Sequence, residues 1–548
     1  MSATPSNPAP ETVAQLPFDL KPGEAWEPLP DAEFDAPAAR HLLRRAGWTA
    51  KPPEVDRLLK DGLAASLDRL FPSKAPPFPA PRSLATLEAK TAGLQAQLVA
   101  NRAGGAGVAA ASSAAAANPQ EIQQRQIRNQ INVATNQAEQ DLTVHWLEFA
   151  GRPENAVTEK WTLFLSDIFV VSQEKVKNPA LILAHQDLLR TGGFGSAPTL
   201  AKAVSRSPAM VMYLDLQQSL RTAPNENFAR ELFELFLLGE GNYTEQDIKE
   251  SARAFTGYRQ NGGVFRFAPG QHDPTPKTIF GRTGSFAGDD VIDLAYAQPA
   301  AGRYMAHKLA RFYLTDDPLP KEQLAALGDW WRTTANYDLR RVAQRFFGSR
   351  LFFDPAFRGA YIKSPVQYLL GLVEDLNLDV APIPRRTIAP LRLMDQIPFR
   401  PPNVRGWVGG RNWINSGTLA ARRQAVETLF APLIEANLNA DEIAALDEAR
   451  AEGRTHFNFT PDRLAELADL PPDTAANWLI DALLPMPVDA AYHASVRDFL
   501  AEDLPANNAP GARRGGANLA AAGPDQRRLQ RLRNTIITLL QSPEYQLC

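Results

Sequence analysis

Between Ala38 and Gly47 the residues Leu42, Leu43 and Ala46 form an apolar stripe beside Arg44 and Arg45, the first stretch with the period of an amphipathic helix. The first 30 residues, rich in Pro, Ala and acidic groups, lack any such period and predict an extended tail over 1–30. After the Pro-rich segment Pro72 to Pro81, two helical patterns, Leu84 to Asn101 and Gln120 to Phe149, flank an Ala/Gly/Ser run from Arg102 to Ala117. Together they predict a projecting, coiled-coil-like hairpin over 84–149, inserted into a single α-helical core spanning 31–504. From Ala156 to about Glu435 helical patterns follow one another. Ser207-Pro208, Ser364-Pro365 and Ser542-Pro543 predict helix starts, with Ser as N-cap and Pro at N1, and Thr244 to Asp247 resembles a capping box. The main non-helical stretch is Tyr258 to Arg282, where Val264–Phe267 and Lys277–Phe280 are candidate strands. Residues 505–524 predict a Pro/Gly/Ala linker and 525–548 a C-terminal helix that packs back on the core. The fold class is mostly α.

Composition narrows the function classes. Hydrophobic residues make up 44% and charged residues 22%, as expected of a folded globular chain. Fifty-eight basic and 61 acidic side chains give a formal net charge of −3, which argues against a nucleic-acid partner held by bulk charge. Cys548 is the single cysteine, so neither an intrachain disulfide nor a cysteine zinc site is expected. No run approaches the roughly 18 apolar residues of a membrane span, and no haem, flavin or nucleotide motif is present. The N-terminus lacks the basic start and apolar run of a secretory signal, so the chain as written is expected in the cytoplasm.

Three polar segments could carry chemistry. In Pro224 to Phe236, a wheel of about 100° per residue places Glu226, Asn227, Arg230, Glu231 and Glu234 within an arc of about 140°. Glu226 can pair with Arg230 while Glu231 and Glu234 approach each other. Two adjacent carboxyls can divide acid and base roles or bind a hard cation such as Mg²⁺ or Ca²⁺; the plainer alternative is a solvated helix face. The second segment, Phe399 to Asn415, combines two Pro, three Gly, two Trp, three Arg and three Asn. It predicts either a rigid loop offering Trp407, Trp413, Arg411 and Asn415 to a ligand, or a structural plug. The third is His272-Asp273, a ligand or base if it is more than a local hydrogen bond.

These segments, together with His41 to Gly47, Ser207 to Asp215, Gly241 to Asp247, Ala254 to Gly257, Lys277-Thr278 and Ser542 to Gln546, resemble the bacterial family catalogued as domain of unknown function 1800. The resemblance implies an α-helical fold and no settled activity. It also implies relatives that often carry export signals, hence an exported location as the alternative. Their genes commonly neighbour a sulfatase-like family (domain of unknown function 1501), a candidate partner. Members often read Trp-His-Asn-His-Phe where this chain has Leu165 to Phe169, and a His where it has Phe236. If those His residues hold a metal in relatives, this chain keeps only Asp167, His272, Asp273 and the glutamates.

The function expected from the sequence is a hydrolase-like enzyme acting on a carbohydrate or other polyhydroxylated or anionic substrate. Glu231, Glu234, Asp273 and His272 would do the chemistry. Asn225, Glu226, Asn227, Arg230, Trp407, Arg411, Trp413 and Asn415 would hold the substrate in one cleft, the loop offering donors through Arg405 and Arg411; the structural alternative is a closed network in which Arg411 neutralises Glu231. A glycosidase places its carboxylates on either side of the scissile bond, so one helix alone would not suffice. The alternatives are a binding or assembly protein docking through the hairpin, and a degenerate copy of metal-dependent relatives.

Overall fold

The computed structural model describes residues 20–105, 119–460, 465–501 and 524–548. Helix accounts for 64% of it, in 25 helices, and the β structure is two small hairpins. The elements that matter for the site are α1 (Ala36–Ala46), α2 (Arg82–Gly105), α3 (Pro119–Ala150), α4 (Ala156–Ile168), α5 (Asn227–Glu231), which runs directly into a π-helix (Leu232–Leu237), and α6 (Glu245–Ala254). They continue with α7 (Pro299–Tyr313), α8 (Pro365–Asp375), α9 (Ser416–Phe430) and α10 (Pro524–Gln541).

Start signals in the sequence act through local hydrogen bonds. Asp35 caps α1 at the Ala38 N–H, Ser364 caps α8 at the Gln367 N–H, and Thr244 with Asp247 closes a full capping box on α6. Ser207 differs: its hydroxyl does not cap its helix but meets Nδ1 of the buried His185 at 3.0 Å. The expected strands form, each within its own antiparallel pair. β1 (Tyr258–Asn261) turns into β2 (Val264–Phe267) through Gly262 and Gly263, and β3 (Lys277–Ile279) into β4 (Arg282–Gly284) through Phe280 and Gly281. All four turn residues have positive φ, as tight hairpins demand.

One continuous core joins α1, α4, α7, α8 and α10. Trp161 on α4 stacks on Phe194 with ring centroids 6.1 Å apart, and Phe71, Tyr313, Phe347 and Phe352 extend the aromatic cluster. Burial here is paired with polar satisfaction. Glu159 and Arg190, 1% and 2% exposed, meet at 2.7 Å, and the Trp146 indole donates to the same carboxylate at 2.8 Å. Arg44 and Arg45 sit inside the core instead of beside it, and donate to the carbonyls of Ala482 and Tyr313.

Two boundaries move. The tail placed at 1–30 reaches the core earlier, because Ala25, Trp26 and Leu29 are buried and the Trp26 indole donates to the Gln323 carbonyl; residues 1–19 lie outside the described residues. α2 and α3 pack against each other, but the C-terminal half of α3 belongs to the core. Leu142, Trp146, Leu147 and Ala150 are buried there, and Glu139 pairs with Arg400 at 2.8 Å. The exposed arm is therefore α2 and the first half of α3, shorter than 84–149. Most of the 505–524 linker, and most of the low-complexity tip, also fall outside the described residues. Leu532, Ile536, Leu539 and Leu540 bury one face of α10.

Candidate functional site

The Asn-Glu-Asn segment uses its amides on its own backbone. Asn225 Nδ2 donates to the Asp215 carbonyl at 3.2 Å and Asn227 Nδ2 to the Leu214 carbonyl at 3.3 Å, bracing the left-handed turn at Asp215. Arg230 forks onto Glu245 at 2.8 and 2.9 Å and reaches Glu226 at 3.1 Å. Asn225, Glu226, Asn227 and Arg230, expected on the substrate, are instead engaged within the fold.

Beyond Glu231 the chain widens into the π-helix. The Leu238 and Gly239 N–H groups both donate to the Phe233 carbonyl, at 2.9 and 3.0 Å, and the Tyr304 hydroxyl of α7 donates to the Leu235 carbonyl at 3.1 Å. A Cβ on Gly239, at φ 78°, would lie 2.8 Å from the Tyr304 ring, so this approach requires glycine. The wheel drawn at 100° per residue does not hold through this turn. Such π-turns are frequent at functional sites.

Two glutamates, Glu231 at its N-terminal edge and Glu234 within it, lie in different surroundings. Glu234 accepts from Arg405 at 2.6 Å and from the Tyr243 hydroxyl at 3.3 Å. Burial and the Glu234 charge push the Tyr243 phenol up to about 12. Glu231 is half-buried and makes no hydrogen bond or ion pair among the described residues. Burial, then the neighbouring Glu234, raise its carboxyl above the usual range, against the pull of Arg405 and Arg230.

The loop from Pro401 to Asn415 does close over this helix, through Arg405 and not Arg411. Arg405 bridges Glu234 and, at 3.4 Å, Glu240. Arg411, expected opposite Glu231, pairs with Asp317 at 2.9 Å on the surface. The Trp407 N–H donates to Asp167 Oδ1 at 3.0 Å, and burial lifts that carboxyl to about 6 while Lys308 and the Trp407 N–H oppose the rise. Gly406 and Gly410 have positive φ, and a Cβ on either would overlap the carboxylates of Asp167 and Asp316. Trp413 is buried as a plug and Asn415 caps α9 with Thr418, so neither is free for a ligand.

His272 and Asp273 form their own network. The His272 Nδ1 lies 3.0 Å from the Thr256 carbonyl and its ring packs on Phe267. Asp273 accepts from Arg253 Nε at 2.7 Å and from the Thr275 N–H at 2.9 Å. Burial acts against its charge, yet the Arg253 and Thr275 hydrogen bonds hold its carboxyl well below the usual range. His272 is engaged with Thr256 and Phe267 and Asp273 with Arg253 and Thr275, and among the described residues neither contacts Glu231 or Glu234. Among the described residues no group of three or more His, Cys, Asp or Glu comes together as a metal site.

Past the π-helix lies an open groove of about 480 Å³ lined by Glu240, Asn242, Gln298, Arg303, Tyr304 and His307; neither Glu231 nor Glu234 lines it, and Arg405 links Glu234 to Glu240 at its edge. Tyr304 forms the wall between groove and π-helix. Tyr304 and His307 were not legible as site residues: they lie some seventy residues along the chain from Glu234 and carry only an ordinary helical pattern.

Fold and site together define an all-α protein with a carboxylate pair beside a polar groove. The chain belongs to the family described as protein of unknown function (DUF1800), whose model matches residues 41–547. No curated protein and no solved structure matches it.

Proposed function

We propose that this protein is a hydrolase-like enzyme acting on a polyhydroxylated or anionic substrate laid along the groove, with Glu231 as proton donor and Glu234 as its charged neighbour. The observation that carries this is the contrast between the two carboxyls. Glu234 is tied to Arg405 and Tyr243, whereas Glu231 is half-buried, unpartnered and raised. A raised carboxyl without a partner, beside one held in an ion pair, is the pattern of a proton donor with a charged neighbour. Both sit on one turn, so water entering from the groove is the nucleophile this arrangement suits. The test is hydrolysis of a panel of oligosaccharides and their phosphate and sulfate esters by the full chain, with Glu231→Gln and Glu234→Gln beside it. Turnover that disappears in Glu231→Gln and falls as pH rises through the raised Glu231 carboxyl supports the assignment. Turnover unchanged in Glu231→Gln, or none across the panel, overturns it.

Of the three positions where resembling sequences often carry His, Ile168 and Phe236 line one small cavity with Lys308, and Ser166 donates to the Leu163 carbonyl. Carbon side chains at the first two support the alternative reading of a degenerate copy of metal-dependent relatives. A docking role draws separate support from α2 and α3, which present Val99 and Val133 to solvent at 67% and 69% exposure. Pull-down of a purified sulfatase-like protein of the 1501 family, with and without the arm, tests it.

A further inference from the structure

We propose that an apolar groove outside the site already described binds a small amphipathic carboxylic acid. Its carboxylate pairs with Arg345, and its hydrocarbon lies among Trp26, Leu29, Leu63 and Leu67. None of these residues lines the polar groove, and nothing here depends on Glu231 or on hydrolysis. The apolar groove, of about 270 Å³, forms where residues 26–31 pass the helices Leu63–Leu70 and Leu339–Phe347. Leu63 and Leu67, four residues apart, share one face of the first helix. The Leu29 N–H donates to the Gly348 carbonyl and the Arg350 N–H to the Glu27 carbonyl, both at 2.9 Å, which pins residues 26–31 beside the end of the second.

The polar groups of this groove are accounted for, with one exception. Asp68 Oδ1 accepts from Arg340 and from Gln344, each at 2.8 Å, and the Trp26 indole N–H donates to the Gln323 carbonyl. Asp31 on the groove and Glu27 near it are exposed, where water and salt screen their charge. Arg345 is the exception. It is half-buried and makes no hydrogen bond or ion pair among the described residues, and its Nε is closed off from water with no acceptor. Glu27 attracts it without coming into pairing range. The guanidinium lies over the Trp330 ring, 4.6 Å from the centroid, which holds it in place. Arg341 shares that ring at 5.6 Å but donates to the Thr334 carbonyl at 2.9 Å. Withdrawing an unpaired charge part-way from water is unfavourable, and a ligand carboxylate removes the deficit. Its two oxygens match the two terminal nitrogens of a guanidinium, while the tail takes the leucine and tryptophan wall out of water. Pockets for drug-sized ligands run from roughly 300 to 1,000 Å³, so this one suits an acid of about octanoate size.

Octanoate is titrated into the full chain by calorimetry, beside octanol and acetate. Saturable octanoate binding, about tenfold or more tighter than that of octanol or acetate, is expected. Each methylene added from butanoate to octanoate should tighten it roughly threefold. Arg345→Gln should weaken octanoate about tenfold or more and leave octanol unchanged, with Arg345→Lys recovering only part of the loss. Ala64→Phe, at an exposed position on the groove wall, should weaken both ligands by filling the space, and it carries the comparison should Arg345→Gln fail to fold. No saturable binding, equal affinity for octanoate and octanol, or unchanged octanoate binding in either variant overturns the site. A dimer that dissociates in Ala64→Phe, read by sedimentation, would place a second copy in the groove and overturn it as well.

Discussion

Replacing Glu231 by Gln should stabilise this protein or leave it unchanged. The carboxylate is half-buried, has no hydrogen-bond partner among the described residues and lies three residues from Glu234. A like-charge pair at this spacing costs about 0.2–0.5 kcal/mol. Incomplete hydration of an unpartnered polar group adds on the order of 0.5–1 kcal/mol once the cost for full burial is discounted for its remaining exposure. Glu231→Gln removes the first contribution and reduces the second, a gain of about 0.5–1.5 kcal/mol near pH 7. The pH dependence follows from the direction of the shift. The folded carboxyl titrates above the unfolded one, so the folded state binds more protons between the two values, and stability falls as pH rises through that window. The advantage of Glu231→Gln is therefore present at pH 7 and vanishes at pH 3–4, below both values. Urea denaturation of both proteins at the two pH values measures it, provided the transitions keep the same slope. A loss of more than about 2 kcal/mol at pH 7 would refute the reasoning, since only a carboxylate embedded in a satisfied network is so costly to remove.

The Glu159–Arg190 pair is the opposite case: with both ends buried, Glu159→Gln should destabilise by about 3–5 kcal/mol, and Glu159→Leu with Arg190→Met should recover much of that loss in a double-mutant cycle. Gly410→Ala should displace the loop from Pro401 to Asn415 and cost about 1–3 kcal/mol or more, because the positive φ and the Asp316 carboxylate both resist a Cβ; Gly453→Ala, at φ 85° with nothing within 4 Å, carries the strain alone and should cost less by the same denaturation assay. Replacing residues 91–126 by a short Gly/Ser linker should leave a soluble, cooperatively melting core, whereas removal through residue 149 should abolish it by taking away Leu142, Trp146 and Leu147.

Much of the local architecture was legible because its causes are local. Thr244 with Asp247 caps α6 through atoms three residues apart, and Gly262-Gly263 supply at no steric cost the positive φ that a tight hairpin demands. The Leu532, Ile536 and Leu540 spacing fixes which face of α10 is buried. The glutamates and the Pro401 to Asn415 loop were also recognisable as neighbours, from the density of polar and aromatic groups in both. Which arginine joins them was not. Arg405 and Arg411 are equivalent in a sequence. The choice follows from Gly406 and Gly410, whose positive φ lets the loop wrap the Asp167 and Asp316 carboxylates so that Arg405 faces Glu234 and Arg411 turns to Asp317. The π-turn is likewise tertiary: the Tyr304 hydroxyl, reaching across from α7, accepts the role that a helical N–H would have filled at Leu235. Periodicity determines which residues share a face, because it depends on dihedral geometry a few residues long. Which faces meet, and therefore that Tyr304 and His307 line the same groove as Glu240, depends on packing between segments more than sixty residues apart, where no local hydrogen bond or propensity acts.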